Sequence, residues 1–496
     1  MYSPSLKEFL RLTQKGNVIP VYKEINADLE TPVSSFLKLK QGDYSFLLES
    51  VEGQQKLARF SFLGSDPLLV FKSKGRNIEI IEKGKNPRRF VTRSDPLNEI
   101  KSLMSRFKSV NVKGLPRFSG GMVGYIGYDM VKFFERLPDK NPDDLKLADS
   151  VFMLTETLLI FDHLKHKIKI LSNVILPKGP KNNPKVAKEA LYARAVRNIE
   201  EIEGCFRKDT EFLRSRGDKS ATKSKITSNF RKAEFEKLVK KAKQYIKNGD
   251  IIQAVLSQRF SLRLKKEPFD IYRSLRSLNP SPYMYFLKLK GITLVGSSPE
   301  MLVRCEEGLV ETRPIAGTRR RSEDEEEDLR LEEELLKDAK EKAEHLMLVD
   351  LGRNDLGRVC LTGTVKVSEF MRVERYSHVM HLVSEVKGKL DSKKYDIYDC
   401  LRAAFPAGTV SGSPKIRAME IIDELENIKR GTYAGCVGYF SFSHNLDTCI
   451  TIRTILIKDG FAYIQAGAGI VADSNPRKEY YETVNKARAL VEAIIK

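Results

Sequence analysis

Tryptophan is missing from all 496 residues, no two of the six cysteines form a C-x-x-C pair, and no apolar run reaches membrane-spanning length. Each absence excludes something. The cysteines, at 205, 305, 360, 400, 436 and 449, lack zinc-site spacing, and a disulfide framework is not expected in a chain this long, so reduced thiols in a cytoplasmic protein are expected. The longest apolar stretches, such as Val151 to Phe161, are short and interrupted by polar residues, which argues against a membrane span. Met1 to Leu12 shows neither the apolar core and cleavage site of a secretory signal nor the acid-poor, Ser/Arg-rich character of a transit peptide.

What is present is ordinary globular composition, 41% hydrophobic and 31% charged, enough for a sizeable core and two to four domain-sized units. The net charge of +20 raises the alternative of a nucleic-acid binder. Its distribution argues otherwise. Residues 161–250 carry 23 Lys/Arg against 11 Asp/Glu, and no zinc finger, aromatic–basic RNA signature or basic heptad occurs there. A solvated linker plus an amphipathic helix accounts for the excess.

The stretch 1–210 alternates short β-rich runs with turn signals. Tyr44 to Leu48, Leu68 to Phe71 and Ile78 to Ile81 are expected strands. Val186 to Phe206 is an expected helix, and residues 211–228, polar and without periodicity, an expected linker. The second unit, 229–496, opens with Phe235, Leu238, Val239, Ala242, Tyr245 and Ile246 at helical spacing, closed by Gly249. A strand over Ile251 to Leu262 follows, then a long charged helix from about Ser322 to Asp350. Strands over Gly435–Phe442, Cys449–Ile457 and Phe461–Gln465 precede a last helix from about Pro476. Gly121 to Ile126 and Gly435 to Phe440 echo each other, as edge motifs of two facing sheets, or chance, would produce.

Two carboxylate pairs stand out. Glu341 with Glu344, and Glu479 with Glu482, each sit three apart, on one face of a helix. Facing helices would make an oxygen cradle for a hard cation such as Mg²⁺; by spacing alone, each pair is better explained as solvated acids, like the nearby run from Glu323 to Asp328, where Ser322 and Glu325 fit a capping box. Lys486 extends the Glu482 face as an ion-pair partner or a carboxylate anchor. Gly467-Ala468-Gly469 fits the start of a dinucleotide fingerprint, but Asp473-Ser474-Asn475-Pro476 separates it from any helix. It remains a small-residue loop whose backbone N–H groups suit an anion. The segment Phe405 to Lys415 opens a helix, with Ser413 as its cap and Pro414 in its first turn.

These segments, with Thr312-Arg313-Pro314-Ile315-Ala316-Gly317-Thr318 and Glu344 to Asp355, resemble the chorismate-utilising enzymes in order over about 229–489. The N-terminal half resembles the companion domain of anthranilate synthase large subunits. The resemblance implies an α/β fold, a sandwich of two large antiparallel sheets covered by helices. It implies Mg²⁺ held directly by Glu344 and Glu482, with Glu341 and Glu479 acting directly or through water. It implies Glu300 as the acid for the departing C4 hydroxyl and His381 at the ring carboxylate and the lyase step, with Thr409 and Gln253 among the catalytic set. Tyr433, Arg453, Gly467, Ala468, Gly469 and Lys486 would hold the substrate's carboxylates. Water-adding members carry a lysine where Gln253 stands, and aminodeoxychorismate synthases typically carry a nucleophilic lysine where Ala316 stands. Gln253 with Ala316 therefore points to the anthranilate-forming branch, with aminodeoxychorismate synthase component I as the alternative. Ser50, Glu49, Pro282, Tyr283 and Met284 resemble that family's tryptophan site. No nucleophilic-cysteine motif is visible, so the resemblance implies a separate glutamine amidotransferase subunit as the ammonia source.

Overall fold

The computed structural model describes residues 1–39, 42–50, 59–177, 185–207, 225–376 and 379–495. Among them, two antiparallel sheets of 13 and 12 strands stack face to face, as the resemblance implied. Phe46, Phe62, Val123, Tyr125, Tyr285 and Tyr439 fill the space between them. Leu47, one residue on from Phe46, turns to the opposite face, into a second core under helices Pro268–Leu278 and Pro476–Ile495. A third core lies under helices Ala339–Gly357 and Ile397–Ala404, on the outside of the other sheet. Central strands are thus buried on both faces, which explains their nearly continuous apolar runs.

Each sheet joins strands from residues before 208 to strands from residues after 224. In the first sheet Tyr44–Glu49 pairs with Tyr283–Leu289 at the centre. Outward from it run Phe60–Ser65, Thr157–Asp162, Lys167–Ile175 and Val18–Asn26 on one side. On the other run Ile292–Ser298, Thr454–Lys458, Phe461–Ile470 and Gln253–Arg263. The second sheet repeats this: Gly121–Ile126 pairs with Cys436–Ser441, flanked by Ser150–Leu154 and Leu69–Lys74 on one side and Leu446–Ile450 and Met301–Glu306 on the other. The two halves of the chain therefore share one topology, related across the centre of both sheets. The echoing motifs are these two central neighbours of one sheet, not edges of facing sheets. A Cβ on Gly438 would stand 2.1 Å from the Asp447 carbonyl oxygen, so the close approach requires glycine there.

Several expected elements differ in detail. The charged helix is two helices, Glu325–Lys337 and Ala339–Gly357. Asp338 breaks it by accepting from the Lys340 and Glu341 N–H groups as the cap of the second. Asp324, not Ser322, caps the first. Ser413 does not cap the helix Lys415–Leu425; it pairs with Gln253 in a short strand. The strand expected over Cys449–Ile457 splits into Leu446–Ile450 and Thr454–Lys458, in different sheets. Helices Lys185–Phe206 and Lys232–Lys247 and the αL Gly249 follow the sequence reading. Of the linker, residues 211–224 lie outside the described residues, while Thr227–Ser228 pairs with Phe260–Ser261. Among the described residues no helix is long and apolar enough to cross a membrane.

Candidate active site

Two passages of the chain from one sheet to the other build the site. Between Ile292–Ser298 and Met301–Glu306 the chain crosses at Pro299-Glu300. Between Leu446–Ile450 and Thr454–Lys458 it crosses back at Thr451-Ile452-Arg453. The crossings are stitched together. The Ile450 N–H donates to the Glu300 carbonyl at 3.0 Å and the Ser297 N–H to the Arg453 carbonyl at 3.0 Å. Ser298 Oγ, fully buried, donates to the Ile450 carbonyl at 2.7 Å and accepts from the Glu300 N–H at 3.4 Å. Arg453 takes φ +50°, unusual for a residue with a side chain, where the chain turns between sheets.

Both side chains face a cavity of about 1180 Å³. Burial lifts the Glu300 carboxyl from 4.5 to about 8, against the opposing influence of the neighbouring Thr409 hydroxyl, the Ile315 backbone and the Lys486 charge. Such a group stays protonated at neutral pH and can donate a proton. Arg453 is half-buried, donates to the Lys486 carbonyl at 3.4 Å, forms no ion pair among the described residues, and has its pKa lowered by burial against the charge of Glu482. A partly desolvated guanidinium without an ion pair suits an anionic ligand. His381 Nδ1 lies 2.9 Å from the Gly317 carbonyl. A carbonyl only accepts, so the proton sits on Nδ1 and Nε2 is left as an acceptor. Burial lowers the ring's pKa, which favours this neutral form.

The cavity brings together Gln253, Glu300, Ala316, His381, Thr409, Tyr433, Arg453, Gly467, Gly469 and Lys486 with all four glutamates. Ala468 is not among them. The segment 467–469 is not a loop but part of the strand Phe461–Ile470, paired with Val255 to Ser257. Alternation turns Ala468 away, into a core with Leu256 and Ile470. The two glycines make room instead. A Cβ on Gly469 would meet Gln253 Nε2 at 2.4 Å, and one on Gly467 would meet the Tyr433 hydroxyl at 2.6 Å. Lys486 Nζ bonds Glu482 at 2.6 Å and the Gly467 carbonyl at 3.0 Å, tying the last helix to this strand.

The acids arrive as two like-charged pairs on helices Ala339–Gly357 and Pro476–Ile495. Burial and then the charge of Glu344 raise the pKa of Glu341; burial raises that of Glu479, with Glu482 adding to it. Gln253 Nε2 donates to Glu344 Oε1 at 3.1 Å. All-oxygen donors that repel within each pair, ranging from the buried Glu479 to the exposed Glu482, fit a hard divalent cation. Among the described residues no three acids converge at ligand spacing, so the pairs would have to close upon an ion.

A second cavity, of about 60 Å³, lies between the central strands. Glu49, Ser50, Pro282, Tyr283 and Met284 all line it. Glu49 accepts from Arg276 Nε at 3.1 Å and from the Tyr272 hydroxyl. The Ser50 hydroxyl is buried without a partner among the described residues. In this form the cavity is smaller than an amino acid with a bicyclic ring requires. Tyr283 and Met284 pair with Ser298 and Ser297, so its wall is the neighbour of the strand that leads into Glu300.

Sequence reasoning missed the support beneath the site. Arg430 and Glu426, both buried, pair at 2.6 Å. Arg430 also donates to the Val410 and Val255 carbonyls at 2.7 Å each, and Glu426 accepts from the Ser257 N–H and hydroxyl. The pair locks the Thr409 turn to the Gln253 strand. Its i, i+4 spacing was the only signal, and many surface pairs share it.

Residues 44–492 match the chorismate binding enzyme family. Anthranilate synthase component 1 of Aquifex aeolicus is 52% identical over 491 residues, 99% of this chain and 97% of that one. Its counterpart from Acetivibrio thermocellus is 50% identical over 504 residues, 100% and 99% of the two chains. Among solved structures, anthranilate synthase component I from Streptococcus pneumoniae superposes with a TM-score of 0.74 at 37% identity, covering 94% of this chain and 98% of that one. The menaquinone-specific isochorismate synthase of Escherichia coli, 21% identical over 99% of both chains, has the same fold, with a TM-score of 0.70.

Proposed function

The chain belongs to the chorismate-binding enzymes, in the anthranilate synthase component 1 family, and from that premise we propose that it converts chorismate and ammonia to anthranilate and pyruvate through an aminodeoxyisochorismate intermediate. The observation that carries this reading is the placement, in one cavity, of a buried carboxyl whose pKa is raised to about 8 and an arginine with no ion pair among the described residues. Chorismate is a dicarboxylate with a poor leaving group, the C4 hydroxyl. Arg453, Lys486 and the backbone beside Gly467 and Gly469 hold its carboxylates. Ammonia adds at C2 as both ring double bonds shift and the C4–O bond breaks; Glu300 delivers the proton that lets water leave, and the new ammonium loses one to solvent. Loss of the C2 proton with cleavage of the C3–O bond then releases pyruvate, with neutral His381 beside the ring carboxylate. Gln253 stands where a water-activating lysine would otherwise be, which suits a nucleophile that needs no base. Ala316 leaves no lysine for a covalent route, against aminodeoxychorismate formation. Glu344 and Glu482 would hold Mg²⁺, with Glu341 and Glu479 beside them. When bound, the ion neutralises the ring carboxylate.

In this reading a separate glutamine amidotransferase subunit supplies the ammonia in the cytoplasm, at the first committed step of tryptophan biosynthesis. Tryptophan inhibits at the second cavity, opening it around the Ser50 hydroxyl and coupling to Glu300 through the strand Ile292–Ser298, which pairs with the cavity's wall. The test is to incubate the chain with chorismate, Mg²⁺ and ammonium and to follow anthranilate fluorescence. Anthranilate that disappears on adding EDTA is expected. Aminodeoxychorismate or isochorismate as the product would overturn the assignment drawn from Gln253 and Ala316.

A further inference from the structure

Glu300, Leu348 and Thr409 line the main cavity and also a third, smaller space of about 30 Å³. They form the partition between the two. Asp355, on the helix Ala339–Gly357, lines the smaller space as well. Its two carboxylate oxygens accept from Lys415 Nζ at 3.0 and 2.9 Å. The Lys415 and Asp355 side chains are 12% and 13% exposed, so this part of the wall touches solvent. The volume admits about two molecules of water.

Most of the wall is apolar, and its polar side chains are Glu300, Thr312, Asp355 and Thr409. The Thr312 hydroxyl is taken, donating to the Leu302 carbonyl at 3.0 Å. Asp355 is held by Lys415 but keeps free lone pairs. The Thr409 hydroxyl neighbours the Glu300 carboxyl, yet it is buried without a well-formed hydrogen bond among the described residues. A buried hydroxyl ordinarily finds a partner, and water in a space with several polar groups supplies one. Glu300, Thr409 and Asp355 thus border one small space that leads from the acid to the protein surface.

On the reading of the reaction given above, we propose that this space is the route by which Glu300 regains its proton while the main cavity is occupied, with Asp355 positioning the water that carries it. The step balances. Glu300 gives its proton to the C4 hydroxyl, which departs as water. The carboxylate left behind is buried, and burial disfavours the anion. It takes a proton from the Thr409 hydroxyl, the hydroxyl takes one from the water behind it, and solvent beside Asp355 and Lys415 replaces that one. Asp355 accepts a hydrogen bond from the water and so aligns it toward Thr409.

Asp355→Leu removes the acceptor at the outer wall, and Ala404→Val enlarges a buried residue that lines the space. Wild type and both variants are mixed at neutral pH with chorismate, ammonium and Mg²⁺. The first turnover and the steady rate of anthranilate formation are read in H₂O and in D₂O, with thermal melts alongside. The first turnover starts from protonated Glu300 and is expected to keep the wild-type rate in both variants. The steady rate falls by up to about 10²-fold, because a turnover begun without the proton forgoes what a general acid contributes. It also slows more in D₂O than the wild-type rate does. Equal losses in first and later turnovers mark a merely structural role and overturn the proposal. So does a steady rate unchanged in both folded variants, or one lowered with only the wild-type D₂O effect, the mark of slow product release. If Asp355→Leu does not fold, Ala404→Val alone decides. A wild-type chain that consumes no chorismate overturns the reaction itself, whereas wild-type turnover with unaltered variants overturns only the proton route.

Discussion

The chain passes between the two sheets at four corresponding places, Asp66 to Leu68 and Thr155-Glu156 in the first half, Pro299-Glu300 and Thr451 to Arg453 in the second. The charged groups at these places fare differently. Asp66 is exposed and pairs with Lys83 at the surface. Glu156 pairs with Arg194 at 2.6 Å. Glu300 is buried with a carboxyl pushed to about 8, and Arg453 is half-buried with no ion pair among the described residues. Covering makes the difference. In the first half a turn, residues 83–87, joins Asn77–Glu82 to Arg88–Val91. In the second, between Leu309–Thr312 and Val379–Lys389, residues 313–378 are inserted, and they carry the helix Ala339–Gly357 with its glutamates. A shared scaffold thus yields charged crossings twice, and chemistry is proposed only where an insertion encloses them.

Variants at corresponding crossings test that contrast. Glu300→Gln removes the transferable proton and should lower the rate of chorismate consumption by about 10²–10⁴-fold; Asp66→Asn should leave it unchanged, and equal losses in steady-state assays would show that the crossings are only structural. Arg453→Met should raise the KM for chorismate by roughly 10–100-fold, the worth of a charged hydrogen bond. Glu156→Gln should not move it. Arg430→Met, which strands Glu426 in the interior, should destabilise the fold by about 3–5 kcal/mol in urea titrations. The exposed pair in the first half is worth far less, and Lys83→Met should shift stability by less than about 1 kcal/mol.

The pH dependence sharpens the contrast further. With its folded pKa raised from 4.5 to about 8, Glu300 ionises in the unfolded chain first, so its contribution to stability is intact below 4.5 and is lost as pH rises through about 8. Glu300→Gln should therefore gain thermal stability relative to wild type as pH increases over that window. The wild-type kcat/KM should fall above pH 8 as the acid is lost. A melting difference that does not change with pH would mean that Glu300 is not buried in solution. Removing Glu344 as Glu344→Gln should let the Glu341 pKa drop toward its ordinary range, which carboxyl NMR titration would register as the smallest of these effects.

Periodicity along single elements was legible in the residues. The i, i+3 glutamates, the helix opening at Phe235 and the alternation of the central strands follow from side-chain spacing alone. Segment-sized motifs placed most of the cavity lining, because residues such as Gly467 and Gly469 are constrained by close packing. Where the reading slipped, the competing influence was tertiary. Asp338 ends one helix and caps the next, although its neighbours all favour helix. The apolar run from Cys449 to Ile457 looks continuous because both pieces are buried, and nothing local announces that Ile452 and Arg453 carry the chain to another sheet. Ala468 differs from its glycine neighbours only in which face it presents.

By itself, then, the sequence determined element type, the family and the chemical inventory of the site, because these depend on local spacing and on residue identity. Tertiary structure decided that Glu300 and Arg453, more than 150 positions apart, meet at adjoining crossings. It also decided that burial leaves one protonated and the other unpaired. Protonation and pairing depend on what surrounds a group in space, and in this chain the surroundings of both come from strands and an inserted helix distant in sequence.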